Sequence, residues 1–309
     1  MIGTDTLMTV SDTASLNERF GIDGTVHFGE GINSMPKVEL TFNEARLELY
    51  LQGAHITRYQ PAAGIEVLWM SDSALYQPGK ALRGGIPLCW PWFGAHADNP
   101  DLPQHGYART SQFQVSSTNA DHQQTSIILT LDAAQAPAPD LQNRAALEFE
   151  IRLSDALWME MRSRNLSTSP LTLSNALHSY FAISQRQQVT IPAVTGLTYL
   201  DKLQDYLPQQ QASEITLNSE VDRVYQAPPA TIDLLDRGHH IKTSIESWGN
   251  NNLVIWNPGK QKARQMNDFD NLGFEQMVCI EPANALAQRI TLAPGEHHRL
   301  GQEIKVNRN

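Results

Sequence analysis

Residues 146–164 read ALEFEIRLSDALWMEMRSR, and this stretch decides the fold class. Apolar and polar side chains alternate over 147–153, and a second alternation runs over 157–161. A period of two places all the apolar side chains of a strand on one face. The intervening residues 154–156 are suited to a turn. The stretch therefore predicts a β-hairpin with one buried face.

Short runs of the same kind recur along the chain, bounded by Gly, Pro or Asn. Sustained helical periodicity is absent, and strands do not alternate with long helices, which argues against a doubly wound parallel sheet. We predict an all-β, sandwich-like fold. The other predicted strands are 38–42, 45–51, 127–131, 214–217, 241–245, 253–256, 277–280 and 289–292, and a further hairpin is predicted through 165–170.

The domain organisation predicted from the sequence is simple. Residues 1–30 are interpreted as an N-terminal arm and residues 31–309 as one β-sandwich domain. The polar, Pro-containing stretch 133–140 is predicted to be a hairpin loop within that domain, and the sequence contains no repeat at solenoid spacing.

Composition limits the classes of function. The chain has 309 residues, 41% of them hydrophobic, which is typical of a protein with a substantial core, and a formal net charge of −10. That charge disfavours general affinity for nucleic acid or anionic membranes, and we find neither a secretion signal nor an apolar run of about 20 residues. The only cysteines, Cys89 and Cys279, are interpreted as buried thiols in a reducing compartment. We expect a cytoplasmic monomer or weak homodimer.

The most unusual part of the sequence runs from Leu82 to Arg109. Glycines at 84 and 85 and prolines at 87 and 91 are incompatible with a regular strand, so this segment is predicted to be a shaped loop that presents side chains. Arg83 and Arg109 could hold a phosphate or carboxylate with their planar guanidinium groups, although surface ion pairing is the simpler interpretation. Four aromatic side chains could contact a sugar or fill the core beneath the loop: Trp90, Trp92, Phe93 and Tyr107.

Three further residues are candidates for proton transfer. His105 and His178 lie among aromatic and small residues, where a lone histidine is usually structural. Glu281 interrupts an apolar run, and a carboxylate in a buried strand needs partners or a perturbed pKa. If these three residues face one pocket, they supply an acid and a base.

Other kinds of site find little support. Zinc, nucleotide and serine-hydrolase motifs are absent, so we expect no metal and no cofactor. The pairs at 239–240 and 297–298 are adjacent histidines that point to opposite faces of a strand, and are interpreted as solvated. Asp268, Asp270 and Glu275 are interpreted as a solvated acidic turn.

At these residues the chain resembles the hexose-6-phosphate mutarotases of the aldose 1-epimerase superfamily. The resemblance covers most of the chain, and its motifs are specific in combination and order. They are RGGIP at 83–87, WPWFG at 90–94, HGYAR at 105–109, LHSYF at 177–181, DRVY at 222–225 and CIEPAN at 279–284.

The resemblance implies a galactose mutarotase-like β-supersandwich with a cleft across one sheet. It implies that Glu281 takes the proton from the C1 hydroxyl of the sugar, and that His178 protonates the ring oxygen with help from His105. Asp222 would then hold sugar hydroxyls, and Arg83 and Arg109 the 6-phosphate. Trp92 and Tyr107 are expected to contact the substrate, Tyr107 standing where the family often has Phe.

Three rival functions remain open at this point. The same fold and aromatic residues would suit a non-catalytic carbohydrate-binding module. A mutarotase of unphosphorylated aldoses such as galactose would not need the two arginines. A glycoside hydrolase usually needs two carboxylates, and Asp222 could be the second beside Glu281.

Overall fold

The hairpin predicted at 146–164 is confirmed. The computed structural model describes residues 12–62, 64–137 and 141–308, and in it strands Ala145–Leu153 and Leu157–Asn165 pair antiparallel. Phe149 and Met161 lie opposite each other and are fully buried, whereas the outward side chains are mostly charged. Burial of one apolar face accounts for the register, because a shift of one residue would expose that face.

Strands dominate the described residues. Two short helices accompany them, α1 Thr13–Phe20 and α2 Gly259–Ala263. In chain order the strands are β1 Val26–Glu30, β2 Pro36–Phe42, β3 Ala45–Tyr50, β4 His55–Gln60, β5 Leu88–Cys89, β6 Gln114–Ala120, β7 Thr125–Leu131, β8 Ala145–Leu153, β9 Leu157–Asn165, β10 Leu171–Leu173, β11 Asn175–Leu177, β12 Tyr180–Ala182, β13 Val189–Thr190, β14 Thr198–Asp201, β15 Leu207–Gln210, β16 Val221–Gln226, β17 Thr231–Asp236, β18 Ile241–Trp248, β19 Asn252–Asn257, β20 Met277–Asn284, β21 Ile290–Leu292 and β22 His297–Arg308.

Two eight-stranded antiparallel sheets form the body of the fold. The first, here called the site sheet, has the order β15-β14-β16-β19-β20-β11-β5, and β12 also pairs with β20. The second has the order β13-β17-β18-β22-β9-β8-β7-β6. A four-stranded sheet, β1-β2-β3-β4, and the pair β10-β21 complete the pairing of the described strands. The all-β prediction, with large antiparallel sheets, is confirmed.

The two faces of β20 have different environments. Val278 and Ile280 join the main apolar cluster, which also contains Phe149 of the second sheet. Cys279 and Glu281 point to the opposite face, because successive strand residues alternate. The main core therefore contains side chains from both large sheets, and the opposite face of the site sheet carries Glu281.

Most of the predicted strands are confirmed, and two predictions are wrong. Residues 214–217 form no strand: Ile215 and Leu217 are buried, but the backbone carbonyl of Leu217 accepts a hydrogen bond from Arg186 rather than from a neighbouring strand. Residues 165–170 form no hairpin, because β10 pairs with β21 instead of β9. An alternating sequence of apolar and polar residues indicates only that one face of the segment is buried. An extended segment outside any sheet can also bury one face, so the pattern does not prove a strand.

The domain boundary at residue 30 remains a prediction. Within the predicted arm, residues 1–11 lie outside the described residues, α1 and β1 are formed, and β1 pairs with β2. The predicted loop at 133–140 connects β7 to β8, which pair with each other, and its residues 138–140 also lie outside the described part. None of the described helices is long and apolar enough to cross a membrane.

Candidate active site

Glu281 is a buried carboxyl group beside a histidine. Its side chain is 1% exposed, and its Oε1 lies 3.3 Å from Nδ1 of His178, although the two groups are not aligned as a hydrogen bond. Burial raises the pKa of Glu281 well above its usual value, and the charge of Asp222 raises it further, while Lys202 opposes the shift. Glu281 is therefore protonated more readily than an exposed glutamate.

His178 follows β11 and is held from both its backbone and its ring. Its N–H donates to the carbonyl of Pro87 at 3.1 Å, and its ring lies 4.8 Å from that of Tyr180 with an angle of 10° between the planes. Burial lowers the pKa of His178 well below the usual value, and the positive charges of Arg83 and Arg109 lower it further. The imidazole of His178 therefore favours its neutral form.

His105 reaches the same place from the loop. Its ring centroid lies 5.8 Å from that of His178, and burial together with Arg109 lowers the pKa of His105 to about 3. Its Nδ1 faces the backbone N–H of Gly94 at 3.3 Å. Because an N–H can only donate, Nδ1 is the acceptor, and the neutral ring carries its proton on Nε2.

Close backbone contact shapes the loop that carries His105. Gly106 has φ +75°, and a Cβ atom at this position would lie 1.9 Å from the carbonyl oxygen of Trp90. Only glycine satisfies both the left-handed conformation and this approach. Gly106 therefore fixes the return of the chain that presents His105.

The two arginines differ in their partners. The guanidinium of Arg83 bonds Oδ2 of Asp268 at 3.1 and 3.2 Å and the hydroxyl of Tyr180 at 3.1 Å. Arg109 donates from Nη2 to the carbonyl of Gln104 at 2.7 Å, and its buried Nε has no hydrogen-bond partner within the described chain. Of the two, Arg109 is the one without a carboxylate partner among the described residues.

The interpretation of the acidic turn as merely solvated is wrong. Asp268 forms the ion pair with Arg83, Asp270 accepts from the backbone N–H of Asp72 at 2.9 Å, and Glu275 pairs with Arg186 at 2.8 Å. These partners are distant in sequence, so the sequence gives no signal of them.

A single cavity of about 210 Å³ brings the candidate residues together. It contains His105, His178 and Glu281 with both arginines and Asp222, six of the eight residues predicted from the sequence. Its complete lining is Arg83, Phe93, Gln104, His105, Arg109, His178, Lys202, Asp222, Val254, Trp256, Lys262, Met266 and Glu281.

Among the residues of this cavity that sequence reasoning missed, three are charged or aromatic. Lys202 pairs with Asp222 at 2.9 Å, and Lys262 of α2 pairs with Glu220 at 3.1 Å. Trp256 lies opposite Asp222 in the pairing of β19 with β16. The two lysines stand outside every motif, and the position of Trp256 follows only from strand register.

Trp92 and Tyr107, the remaining two predicted residues, lie elsewhere. Both line a second cavity, and their rings lie 5.9 Å apart. Their placement gives no support to the predicted contacts with the substrate. The reason is local: within the loop, Phe93 and His105 face the first cavity while their sequence neighbours Trp92 and Tyr107 face the second. Trp90 is buried and donates from Nε1 to the hydroxyl of Ser163 at 3.0 Å.

One group in the described chain has the composition of a metal site. Ligand atoms of His178, Cys279 and Glu281 lie within 4.8 Å of one another. Burial raises the pKa of Cys279 well above its usual value, and this disfavours the thiolate that metals bind. The closest approach described within this group is the one of 3.3 Å between Nδ1 of His178 and Oε1 of Glu281.

Comparison with known proteins shows the family of the chain. The profile of the aldose 1-epimerase family matches residues 36–305. A relative from Cenchrus ciliaris named "Putative glucose-6-phosphate 1-epimerase" is 34% identical over 82% of this chain and 78% of its own. A relative of the same name from Escherichia coli is 29% identical over 85% of this chain and 87% of its own.

Solved structures share the whole fold. The crystal structure of a "putative mutarotase" from Salmonella typhimurium superposes with a TM-score of 0.85 at 26% identity, covering 92% of this chain and 94% of that one. A galactose mutarotase-like protein from Clostridium acetobutylicum shares the fold with a TM-score of 0.71 at 13% identity, over 92% of this chain and 98% of that one. The predicted galactose mutarotase-like architecture is confirmed, and the chain belongs to the aldose 1-epimerase family.

Proposed function

We propose that this protein is a mutarotase that interconverts the α and β anomers of a hexose 6-phosphate, with glucose 6-phosphate as the first candidate. The observation that carries the proposal is the contact between Glu281 and His178 in a cavity that also contains Arg83 and Arg109. Membership of the aldose 1-epimerase family supports the reaction, and the names of the relatives support the substrate.

The proposed mechanism needs one proton removed and one delivered. Ring opening takes the proton from the C1 hydroxyl and adds one to the ring oxygen, rotation about C1–C2 exposes the other face of the carbonyl, and closure reverses the transfers. Glu281 serves as the base and His178 as the acid, as the family resemblance implies. His105, whose neutral ring donates from Nε2, assists at the ring oxygen.

The buried pair can carry the single proton that this chemistry requires. Without a substrate contact the pair favours that proton on Glu281, because burial raises the pKa of Glu281 and lowers the pKa of His178. The proposed roles place it on His178 when the sugar is bound. One proton shared between two adjacent groups allows the transfers to run in either direction.

The charge of the cavity supports a phosphorylated substrate. Four cationic side chains line it, Arg83, Arg109, Lys202 and Lys262, against two carboxyl groups, of which Glu281 favours its neutral form. The chain as a whole carries a net charge of −10, so a phosphate must be held by such a local cluster. Arg109 is the strongest candidate for the anchor, since no described carboxylate neutralises it.

We also propose a role for Asp222 in holding the sugar. Asp222, held by Lys202, would accept hydrogen bonds from sugar hydroxyls.

We place the enzyme in a reducing, cytoplasmic compartment. Cys89 and Cys279, both free and buried, support this location.

Optical rotation after dissolving pure α-glucose 6-phosphate tests the substrate. We expect faster equilibration with the wild type, a much smaller effect on α-glucose and α-galactose, and weaker acceleration with Arg109→Ala. Arg299→Ala is the matched control, because Arg299 is 68% exposed in the second sheet.

Equal acceleration of the free sugars would favour a mutarotase of unphosphorylated aldoses. Binding without acceleration would favour a carbohydrate-binding module, and released sugar from a glycoside would favour a hydrolase.

A further inference from the structure

A second cavity lies next to the candidate active site and takes no part in the proposed reaction. Its volume is about 200 Å³, and Trp92, Tyr107 and His96 line one part of it. Pockets for drug-sized ligands span roughly 300–1,000 Å³, so a cavity of this size suits a single sugar ring or a ligand of similar size.

The loop that forms the first cavity also forms the second. Trp92 is 7% exposed and Tyr107 is 4% exposed, and both side chains line the second cavity. Their neighbours Phe93 and His105, whose rings lie 5.0 Å apart, line the first. The two cavities are therefore separate sites built on one loop.

Two arginines give the second cavity a positive charge. Arg144, next to β8, and Arg289, next to β21, both line it. Neither guanidinium forms an ion pair or a side-chain hydrogen bond with any other residue that the structure describes. Among the described residues the only acidic side chain in the lining is the exposed Asp98. Arg144 is half-buried and Arg289 is exposed, and two guanidinium groups without a described carboxylate partner at one cavity suit an anionic ligand.

The aromatic part of the lining offers donors as well as apolar surface. Tyr107 is buried, burial raises the pKa of its hydroxyl above the usual range, and no described group bonds that hydroxyl. His96 packs edge-on against Trp92 at 4.8 Å, and its Nδ1 accepts from the backbone N–H of Asp98 at 3.2 Å, which leaves Nε2 to donate. The apolar face of an aromatic ring can contact the C–H groups of a sugar ring, and adjacent donors can bind its hydroxyl groups.

We propose that this second cavity is a binding site for a small anionic sugar. The ring would lie against Trp92 and Tyr107, and its phosphate or carboxylate would bind Arg144 and Arg289. This inference does not rest on the proposed function, because it uses neither His178 nor Glu281.

Fluorine NMR of protein labelled with 5-fluorotryptophan tests the proposal. Trp92 lines the second cavity and Trp256 the first, so one titration reports on both sites. Their resonances are assigned with Trp92→Phe and Trp256→Phe. The probes are glucose 6-phosphate and glucuronate, with glucose as the neutral control.

We expect saturable movement of the Trp92 resonance with at least one anionic sugar and none with glucose. Glucose 6-phosphate alone would identify a phosphate site, and glucuronate alone a carboxylate site. The double variant Arg144→Gln/Arg289→Gln should raise the half-saturating concentration for Trp92 by about tenfold or more. The same double variant should leave the Trp256 response unchanged, which also shows that it folds.

Three results would overturn the proposal. These are a Trp92 resonance that neither anionic sugar moves, movement with glucose alone, and movement that the double variant does not weaken. Repeating the titration with Arg109→Ala removes an anchor from the first cavity, so a Trp92 response relayed from that cavity would weaken there. Failure of the proposed mutarotase function would instead appear in the anomerisation rate and leave the Trp92 titration intact.

Discussion

At the scale of single residues, the site depends on a carboxyl group and a histidine whose burial favours neutral forms. Glu281 and His178 are 3.3 Å apart, and the pKa of each is shifted toward its uncharged state. The sequence indicated Glu281, because a carboxylate within an apolar strand needs partners or a perturbed pKa, whereas His178 stood out only together with Glu281 and the family resemblance. The contact of Glu281 with His178 depends on tertiary packing, as does the lack of a described carboxylate partner for Arg109, and neither could be predicted.

Glu281→Gln tests the role of the base. The amide has the same shape but cannot accept the C1 proton, so we expect kcat to fall by about 10²–10⁴-fold while KM changes little. Asp268→Asn is a useful comparison, since it weakens the ion pair with Arg83 and leaves the acid and base in place. An unchanged kcat in Glu281→Gln would remove Glu281 from the mechanism.

Arg109→Ala tests the phosphate anchor. Loss of a charge-assisted contact of roughly 1.5–3 kcal/mol should raise KM for glucose 6-phosphate by about 10- to 100-fold. Any residual activity on free glucose should be unaffected, because glucose carries no phosphate. A rise of KM for both sugars alike would place Arg109 on the sugar ring instead.

The pH dependence of kcat tests the shared proton. The pair loses its single proton only above the raised pKa of Glu281, and gains a second only below the lowered pKa of His178. We therefore expect kcat to show no step near pH 6.5 of the kind that an ordinary histidine would give. A clear step near pH 6.5 would contradict the neutral state of His178.

At the scale of elements, β20 and the loop around Gly106 position the site. A strand over 277–280 could be predicted from the sequence, and because successive side chains of a strand point to opposite faces, Cys279 and Glu281 lie opposite Val278 and Ile280. The loop could be recognised as shaped, but the side to which each aromatic points could not. Trp92 and Phe93 are adjacent in sequence and line different cavities.

Gly106→Ala tests the close approach in that loop. Its Cβ would meet the carbonyl of Trp90 at 1.9 Å, so we expect a loss of roughly 2–4 kcal/mol of unfolding free energy together with lower kcat. Gly94→Ala is the matched control, because Gly94 also has positive φ but nothing within 4 Å of a Cβ. That variant should lose only about 1 kcal/mol. Equal losses in urea unfolding would show that the contact with Trp90 is unimportant.

At the scale of the whole molecule, two large sheets bury apolar faces and leave charged groups on the opposite face of the site sheet. Short alternating strands with turn residues between them made the all-β architecture predictable. The order of strands within the sheets was not, because pairs such as β5 with β11 join segments about 90 residues apart. The ion pairs of Lys202 with Asp222 and of Lys262 with Glu220 could not be predicted for the same reason.

The free energy of unfolding should depend on pH through Glu281, because burial disfavours the charged form of its carboxyl group. Its pKa is raised in the folded chain, so its contribution to stability is complete below the unfolded pKa of about 4.3 and declines as pH rises toward the folded value. We expect the Tm of Glu281→Gln, relative to wild type, to increase between pH 5 and pH 8. Glu275→Gln, which breaks the ion pair with Arg186, should show no such gain in thermal melts. A relative Tm of Glu281→Gln that falls over this range would contradict the raised pKa.

The most direct test of the account is two-dimensional exchange NMR on an equilibrated mixture of the anomers of glucose 6-phosphate. We predict exchange cross-peaks between the α and β anomeric protons with catalytic amounts of the wild type, and none above the uncatalysed level with Glu281→Gln. Exchange absent with the folded wild type, or present to the same extent with Glu281→Gln, would contradict the claim that Glu281 and His178 open and close the sugar ring.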